Sequence, residues 1–179
     1  MPMSSAFQAR LKPILPQISE HFGTPFHLYD EAGIRENACK LFTTFAGIEG
    51  FREYFAVKAL PNPHILAILK EEGCGFDCSS VPELILSRQV GARGEDIMFT
   101  SNNTTCAEFE AALADGGCIL NLDDLTLLPK LLEVGKARLA PTDVICFRYN
   151  PGARRSGNAI IGKPEEAKFG IPHEQVIAA

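Results

Sequence analysis

The chain has 179 residues, 46% of them hydrophobic, which suffices for one domain with a packed core. A formal net charge of -5 and the lack of any Lys/Arg-rich block exclude the basic field that nucleic acid or an anionic membrane surface requires. Small-molecule chemistry fits this balance best.

Met1-Pro2-Met3-Ser4-Ser5 has no basic segment followed by an apolar run, so no secretory leader is predicted, and no stretch is long and apolar enough to span a bilayer. From about Ser4 to His21 the pattern predicts a surface helix interrupted by Pro13 and Pro16 and stopped at Gly23-Thr24-Pro25. Phe26 to Tyr29 is a short apolar strand candidate. Ile34, Ala38, Leu41, Phe42 and Phe45 recur close to helical spacing over Glu31 to Phe45, and Gly47 and Gly50 end that helix.

The stretch Tyr54-Phe55-Ala56-Val57-Lys58 is an apolar run closed by a lysine, and its lack of polar alternation suits a strand buried on both faces. Pro61-Asn62-Pro63 breaks the backbone, after which Ile65, Leu66, Ile68 and Leu69 take helical spacing. Beyond this point short apolar runs end near Lys58, Cys78, Thr100, Asn121 and Tyr149. Between them lie the amphipathic stretches Ala67 to Glu72, Glu83 to Val90, Cys106 to Ala114 and Leu125 to Val134. Gly73, Gly91, Gly116-Gly117 and Gly135 fall where those helices should stop. Alternating strand and helix predicts an α/β fold with parallel strands, either a closed barrel or an open doubly wound sheet. Periodicity does not separate the two. No Gly-rich dinucleotide turn follows the first strands, since Gly73-Cys74-Gly75 precedes a strand instead of opening a helix.

A lysine at the inner end of a buried strand must be paired, deprotonated or reach solvent along its apolar stem. A desolvated amine would be a nucleophile able to form a Schiff base with an aldehyde or ketone. Asp77, Asn121 and Arg148 are further polar residues at strand ends, and in a parallel barrel those ends share one mouth. Asp77 serves equally well as a helix cap or a structural ion-pair partner. Ser79-Ser80 with Glu83 has capping-box spacing. Thr100 to Thr105 is a polar loop that suits a helix N-cap, and Asn150 to Asn158 is a glycine-containing loop in which Arg154 and Arg155 are candidates for binding a carboxylate. The six cysteines show no CxxC spacing and the four histidines no ligand spacing, so neither a metal site nor a disulfide framework is predicted. Thiols kept free predict a reducing, cytoplasmic setting.

Tyr-Phe-Ala-Val-Lys-Ala at 54–59, Phe22-Gly23-Thr24-Pro25-Phe26-His27-Leu28-Tyr29-Asp30, Gly75-Phe76-Asp77-Cys78-Ser79-Ser80-Val81-Pro82-Glu83-Leu84, Phe147-Arg148-Tyr149-Asn150-Pro151-Gly152 and Lys168-Phe169-Gly170-Ile171 occur in one order. Together they resemble the alanine-racemase-like, pyridoxal-phosphate-dependent decarboxylases, and among these most of all the diaminopimelate decarboxylases. One departure is Ala167, where the family carries a serine before the lysine. The resemblance implies a parallel (β/α)8 barrel, here incomplete with about five of its eight strands. It also implies a β-rich second domain that the chain lacks and to which the Phe26 to Tyr29 strand would be added. Residues 1–25 are then an N-terminal helix and linker, and 26–179 the first part of the cofactor-binding barrel. The resemblance further implies that Lys58 holds pyridoxal phosphate covalently, with Asp77 and Arg148 as cofactor-site neighbours that flank it and balance one another. The implied reaction is decarboxylation of meso-2,6-diaminopimelate to lysine by a homodimer. Several parts of the implied site, including a phosphate-binding glycine loop and the partner of the ring nitrogen, would follow Ala179. The isolated chain is therefore expected to be inactive. A decarboxylase for ornithine, arginine or carboxynorspermidine, a racemase, and a non-enzymatic cofactor-binding barrel are the alternatives.

Overall fold

In the computed structural model, residues 3–136, 144–151 and 170–178 are described. The chain forms two compact units, Met1–Phe51 and Arg52–Ala179.

In the first unit, α1 (Ser5–Leu11) and α2 (Leu15–Phe22) flank the predicted interruption. Ser4 caps α1 by accepting from the Phe7 N–H at 3.1 Å, and Pro16 sits in the first turn of α2, where a missing N–H is harmless. The third helix, α3 (Glu31–Phe45), has the predicted bounds. It packs Phe45 in a stacked contact on Phe51, with ring centroids 4.6 Å apart, and Phe42 edge-on to the same ring. Phe26 to Tyr29 is not a strand. An extended segment becomes a strand only by pairing, and no partner strand for it exists among the described residues.

The second unit is built on β1 (Tyr54–Ala56), β2 (Gly75–Cys78), β3 (Gly94–Phe99), β4 (Cys118–Leu122) and β5 (Ile145–Phe147). They form one sheet in the order β1-β2-β3-β4-β5, and every pair is parallel. Helices α4 (Pro63–Glu71), α5 (Val81–Gln89), α6 (Cys106–Leu113) and α7 (Leu127–Gly135) connect consecutive strands and pack side by side. A doubly wound sheet reverses its strand order at a switch point. No reversal occurs over these five strands, so the sheet has the sequential winding of a (β/α) barrel wall.

One face of that wall is closed by the helices. Phe76, Cys78, Ile97, Phe99, Leu120 and Leu122 alternate along β2, β3 and β4 and are at most 2% exposed. They meet Leu66, Leu84, Phe109 and Leu131 from the helices in one core, where each such side chain contributes about 1.5–3 kcal/mol by burial.

Local chemistry sets the helix ends. Asn62 accepts from the His64 and Ile65 N–H groups at 3.0 and 3.4 Å, so the Pro-Asn-Pro break is also the N-cap of α4. Thr105 and Glu108 form a complete capping box at α6. The Arg88 guanidinium closes the other end of α6 by donating to the carbonyls of Ala111, Ala112 and Ala114 at 2.8–3.0 Å. Gly73, Gly91 and Gly116 take positive φ beyond their helices, whereas Gly135 is the last residue of α7.

The fifth apolar run was expected to end near Tyr149, but β5 stops at Phe147. A second, two-stranded parallel sheet pairs β6 (Tyr149–Asn150) with β7 (Ile171–Pro172), followed by α8 (His173–Ala178). Arg148 is the transfer point. Its N–H donates to the Leu122 carbonyl of β4 at 2.9 Å, and its own carbonyl accepts from the Ile171 N–H at 2.7 Å. Gly170, at φ 85°, permits that approach, because a Cβ there would lie 3.0 Å from the Arg148 carbonyl oxygen.

Candidate active site

The uncovered face of the wall carries the polar residues. Register places Ala56, Asp77, Met98 and Ile119 opposite one another across β1 to β4, and Asn121 opposite Cys146 across β4 and β5. Side chains alternate in a strand, so Thr100, two residues after Met98, belongs to this row, as does Arg148, two after Cys146. All except Arg148, which is exposed, are half-buried. The tight packing at the other end of this face explains Gly75. A Cβ on it would lie 2.8 Å from the Tyr54 ring, which crosses to place its hydroxyl 2.7 Å from the Glu95 carbonyl.

Lys58 follows β1 in a 3-10 turn, Val57–Ala59, at the strand's carboxyl end as expected. It is not buried as a lysine in a doubly covered strand would be. β1 lies at the edge of the described sheet, and the Lys58 side chain is exposed. Among the described residues its hydrogen-bond partner is the Ser79 hydroxyl, 3.4 Å from Nζ, and no carboxylate pairs with it. Ser79 is held in turn. Its N–H donates to Glu83 Oε2 at 3.0 Å, while the Ser80 hydroxyl donates to Oε1 at 2.8 Å. The capping-box spacing thus forms neither bond of that motif: Glu83 accepts from the Ser79 N–H and the Ser80 hydroxyl, and the Ser80 side chain caps no backbone N–H of α5.

Asp77 accepts from the Thr100 hydroxyl at 3.1 Å, and Thr100 Oγ1 accepts from Asn121 Nδ2 at 3.2 Å. Arg148 was expected to balance Asp77. Among the described residues the carboxylate it meets is Asp123, with Nη1 3.2 Å from Oδ1. Asp123 is the first residue after β4 and is 6% exposed, so it is the buried charge for which a guanidinium is the fitting partner. Thr100 stood out only as part of the Thr100 to Thr105 loop, and Asp123 not at all, because each meets its partner across neighbouring strands. The signal available for Asp123 was a second acidic residue one position past a strand end. Arg154 and Arg155 lie outside the described residues.

Cys78 and Cys118 face the helices, not the inner face. Desolvation pushes Cys78 up to about 12, partly countered by its 3.2 Å contact with Ser87, and desolvation also pushes Cys118 up to about 12. No cluster of His, Cys, Asp and Glu among the described residues is arranged to hold a metal ion.

A sequentially wound parallel wall with an amine, a carboxylate, a hydroxyl and an amide at its strand ends defines an α/β domain of the (β/α) barrel type, the strand ends of which line the barrel mouth. Its family is established by comparison. The chain belongs to the pyridoxal-dependent decarboxylases, matching their pyridoxal binding domain over residues 33–179. It is 41% identical over 177 residues to protein TabA of Pseudomonas amygdali pv. tabaci, covering 99% of this chain and 40% of that protein. It is 35% identical over 158 residues to diaminopimelate decarboxylase of Methanothermobacter thermautotrophicus, covering 87% and 36%. The crystal structure of diaminopimelate decarboxylase from M. jannaschii superposes with a TM-score of 0.79 at 28% identity, covering 90% of this chain and 38% of that one. The chain therefore spans about two fifths of the length of these relatives.

The residues present fit the family's cofactor. A primary amine open to solvent and engaged by a hydroxyl, not by a carboxylate, is available to an aldehyde. The adjoining inner face offers a carboxylate and an exposed guanidinium for polar groups.

Proposed function

We propose that this chain supplies the lysine-bearing part of an amino-acid decarboxylase, with meso-2,6-diaminopimelate as substrate and L-lysine as product. The observation that carries the reading is Lys58 at the carboxyl rim of β1, with its amine free of any carboxylate among the described residues. The substrate assignment draws support from the named decarboxylases at 35% and 28% identity. The name of the 41% relative states no reaction.

Lys58 is the residue that would hold pyridoxal phosphate, with Asp77 and Arg148 as neighbours in the site. Bound pyridoxal phosphate supplies an electron sink for the pair released when a substrate loses carbon dioxide. The chain's own residues do the positioning. Ser79, fixed by Glu83, orients the Lys58 amine. Asp77, fixed by Thr100, presents a carboxylate on the same face. Arg148, anchored by Asp123, keeps a permanent positive charge at the far end of the row, suited to an acidic group of substrate or cofactor. In this reading Arg154 and Arg155 contribute further carboxylate contacts, the working enzyme is a homodimer, and it acts in the cytoplasm. No helix among the described residues is long and apolar enough to cross a membrane.

The test is carbon dioxide release from meso-2,6-diaminopimelate, ornithine and arginine by the protein at the length of its relatives. Preference for diaminopimelate, abolished by Lys58→Ala with the melting temperature unchanged, is expected. Equal rates with Lys58→Ala would overturn the assignment.

A further inference from the structure

Three polar side chains from three strands form one directional chain on the inner face. Asn121 stands on β4, Thr100 directly follows β3, and Asp77 stands on β2. The Asn121 amide nitrogen has only protons to offer, so the Thr100 oxygen, 3.2 Å away, must accept. The single Thr100 proton is then left for the Asp77 carboxylate at 3.1 Å. No other arrangement satisfies all three groups. The hydroxyl cannot rotate without losing both bonds, and the β-branched Thr side chain is stiff at χ1.

Asp77 is otherwise loosely held. It is half-buried and makes no ion pair among the described residues, although Arg148 stands on the same face with Asp123 as its carboxylate. Its neighbour Ala56 across the β1–β2 register has a methyl group and offers nothing polar. Thr100 is thus the only side chain among the described residues that fixes this carboxylate. Asn121 is one step further away.

We infer that Thr100 is a positioning residue for the cofactor site, holding Asp77 in one orientation two residues from Ser79, the hydrogen-bond partner of Lys58, and that Asn121 acts on Asp77 only through the Thr100 hydroxyl. This rests on the proposed function of Lys58 and Asp77. It predicts a pattern of coupling that simple packing would not give. Removing the hydroxyl should disable the amide's contribution as well.

Thr100→Val keeps the shape of the side chain and deletes the hydroxyl, and Thr100→Ser keeps the hydroxyl. Two readouts are needed. Three-bond scalar couplings report the Asp77 χ1 rotamer without cofactor, and borohydride trapping of sub-saturating pyridoxal phosphate reports capture at Lys58. The expected result is one Asp77 rotamer in the unsubstituted protein and in Thr100→Ser, and averaged couplings in Thr100→Val. Capture at Lys58 should fall about tenfold in Thr100→Val, as for a lost hydrogen bond to a charged group, and recover in Thr100→Ser. Asn121→Ala should lower capture in the presence of Thr100 and have no further effect in the Thr100→Val background. Each variant is expected to stay folded, with Thr100→Val melting a few degrees below the parent. Averaged Asp77 couplings with undiminished capture, or additive effects of the two substitutions, would overturn the inference while leaving Lys58 as the cofactor residue. No trapping at Lys58 in the unsubstituted protein would overturn the proposed function itself.

Discussion

The two faces of the five-stranded sheet follow different rules. On the helix side Phe76, Cys78, Ile97, Phe99, Leu120 and Leu122 are buried beneath the helices that connect the strands. On the inner side Asp77, Met98, Thr100, Ile119, Asn121 and Cys146 are half-buried, and their polar members find partners on neighbouring strands. The helix side is a packing problem solved locally. The inner side collects, from segments far apart in sequence, groups whose only shared property is their height along the strands. Stability is concentrated on one face and chemistry on the other.

Substitutions at adjacent positions of β3 separate these roles most strongly. Phe99→Ala leaves a cavity beneath the helices and is expected to lower unfolding free energy by about 3–5 kcal/mol. Met98→Ala, one residue away on the half-covered face, is expected to lower it by about 1 kcal/mol, because a partly exposed side chain loses less transfer free energy. Denaturant titration of both variants checks this. Equal losses would mean that the two faces are not distinct.

A smaller effect sharpens the comparison through pH. Burial on the helix side lifts Cys78 from an ordinary 9.0 to about 12. The folded state therefore favours the neutral thiol. That contribution is complete below about pH 9 and is lost as pH rises through the interval up to about 12. The stability difference between the parent and Cys78→Ala should accordingly shrink on the alkaline side of 9, as measured by urea unfolding at a series of pH values. A constant difference would place the thiol in contact with water.

Much of this division is legible in the order of the residues. Strand and helix alternated with glycine stops, and α3 has the bounds its apolar spacing predicted, because local periodicity decides which face a helix buries. Lys58, Asp77 and Arg148 stood out as charges at the ends of apolar runs, and the structure brings them to the mouth of one wall. Their partners were not legible. The choice of Asp123 for Arg148, and of Thr100 for Asp77, depends on parallel register, which residue order does not encode. The exposure of Lys58 depends on what lies beyond β1 at the sheet edge, and the fate of Phe26 to Tyr29 on whether a partner strand is present. The small β6–β7 sheet was missed for a related reason. Two-residue strands have no periodicity, and the apolar run through Tyr149 concealed the change of sheet at Arg148.

The central claim is that the rim of the inner face makes one lysine special. Borohydride reduction of the protein after mixing with pyridoxal phosphate, followed by peptide mass mapping, tests this most directly. The account predicts a label concentrated on Lys58 and abolished by Lys58→Ala, with Lys70 and Lys130 largely unmodified. A label spread evenly over surface lysines, and unchanged in total when Lys58 is replaced, would contradict it.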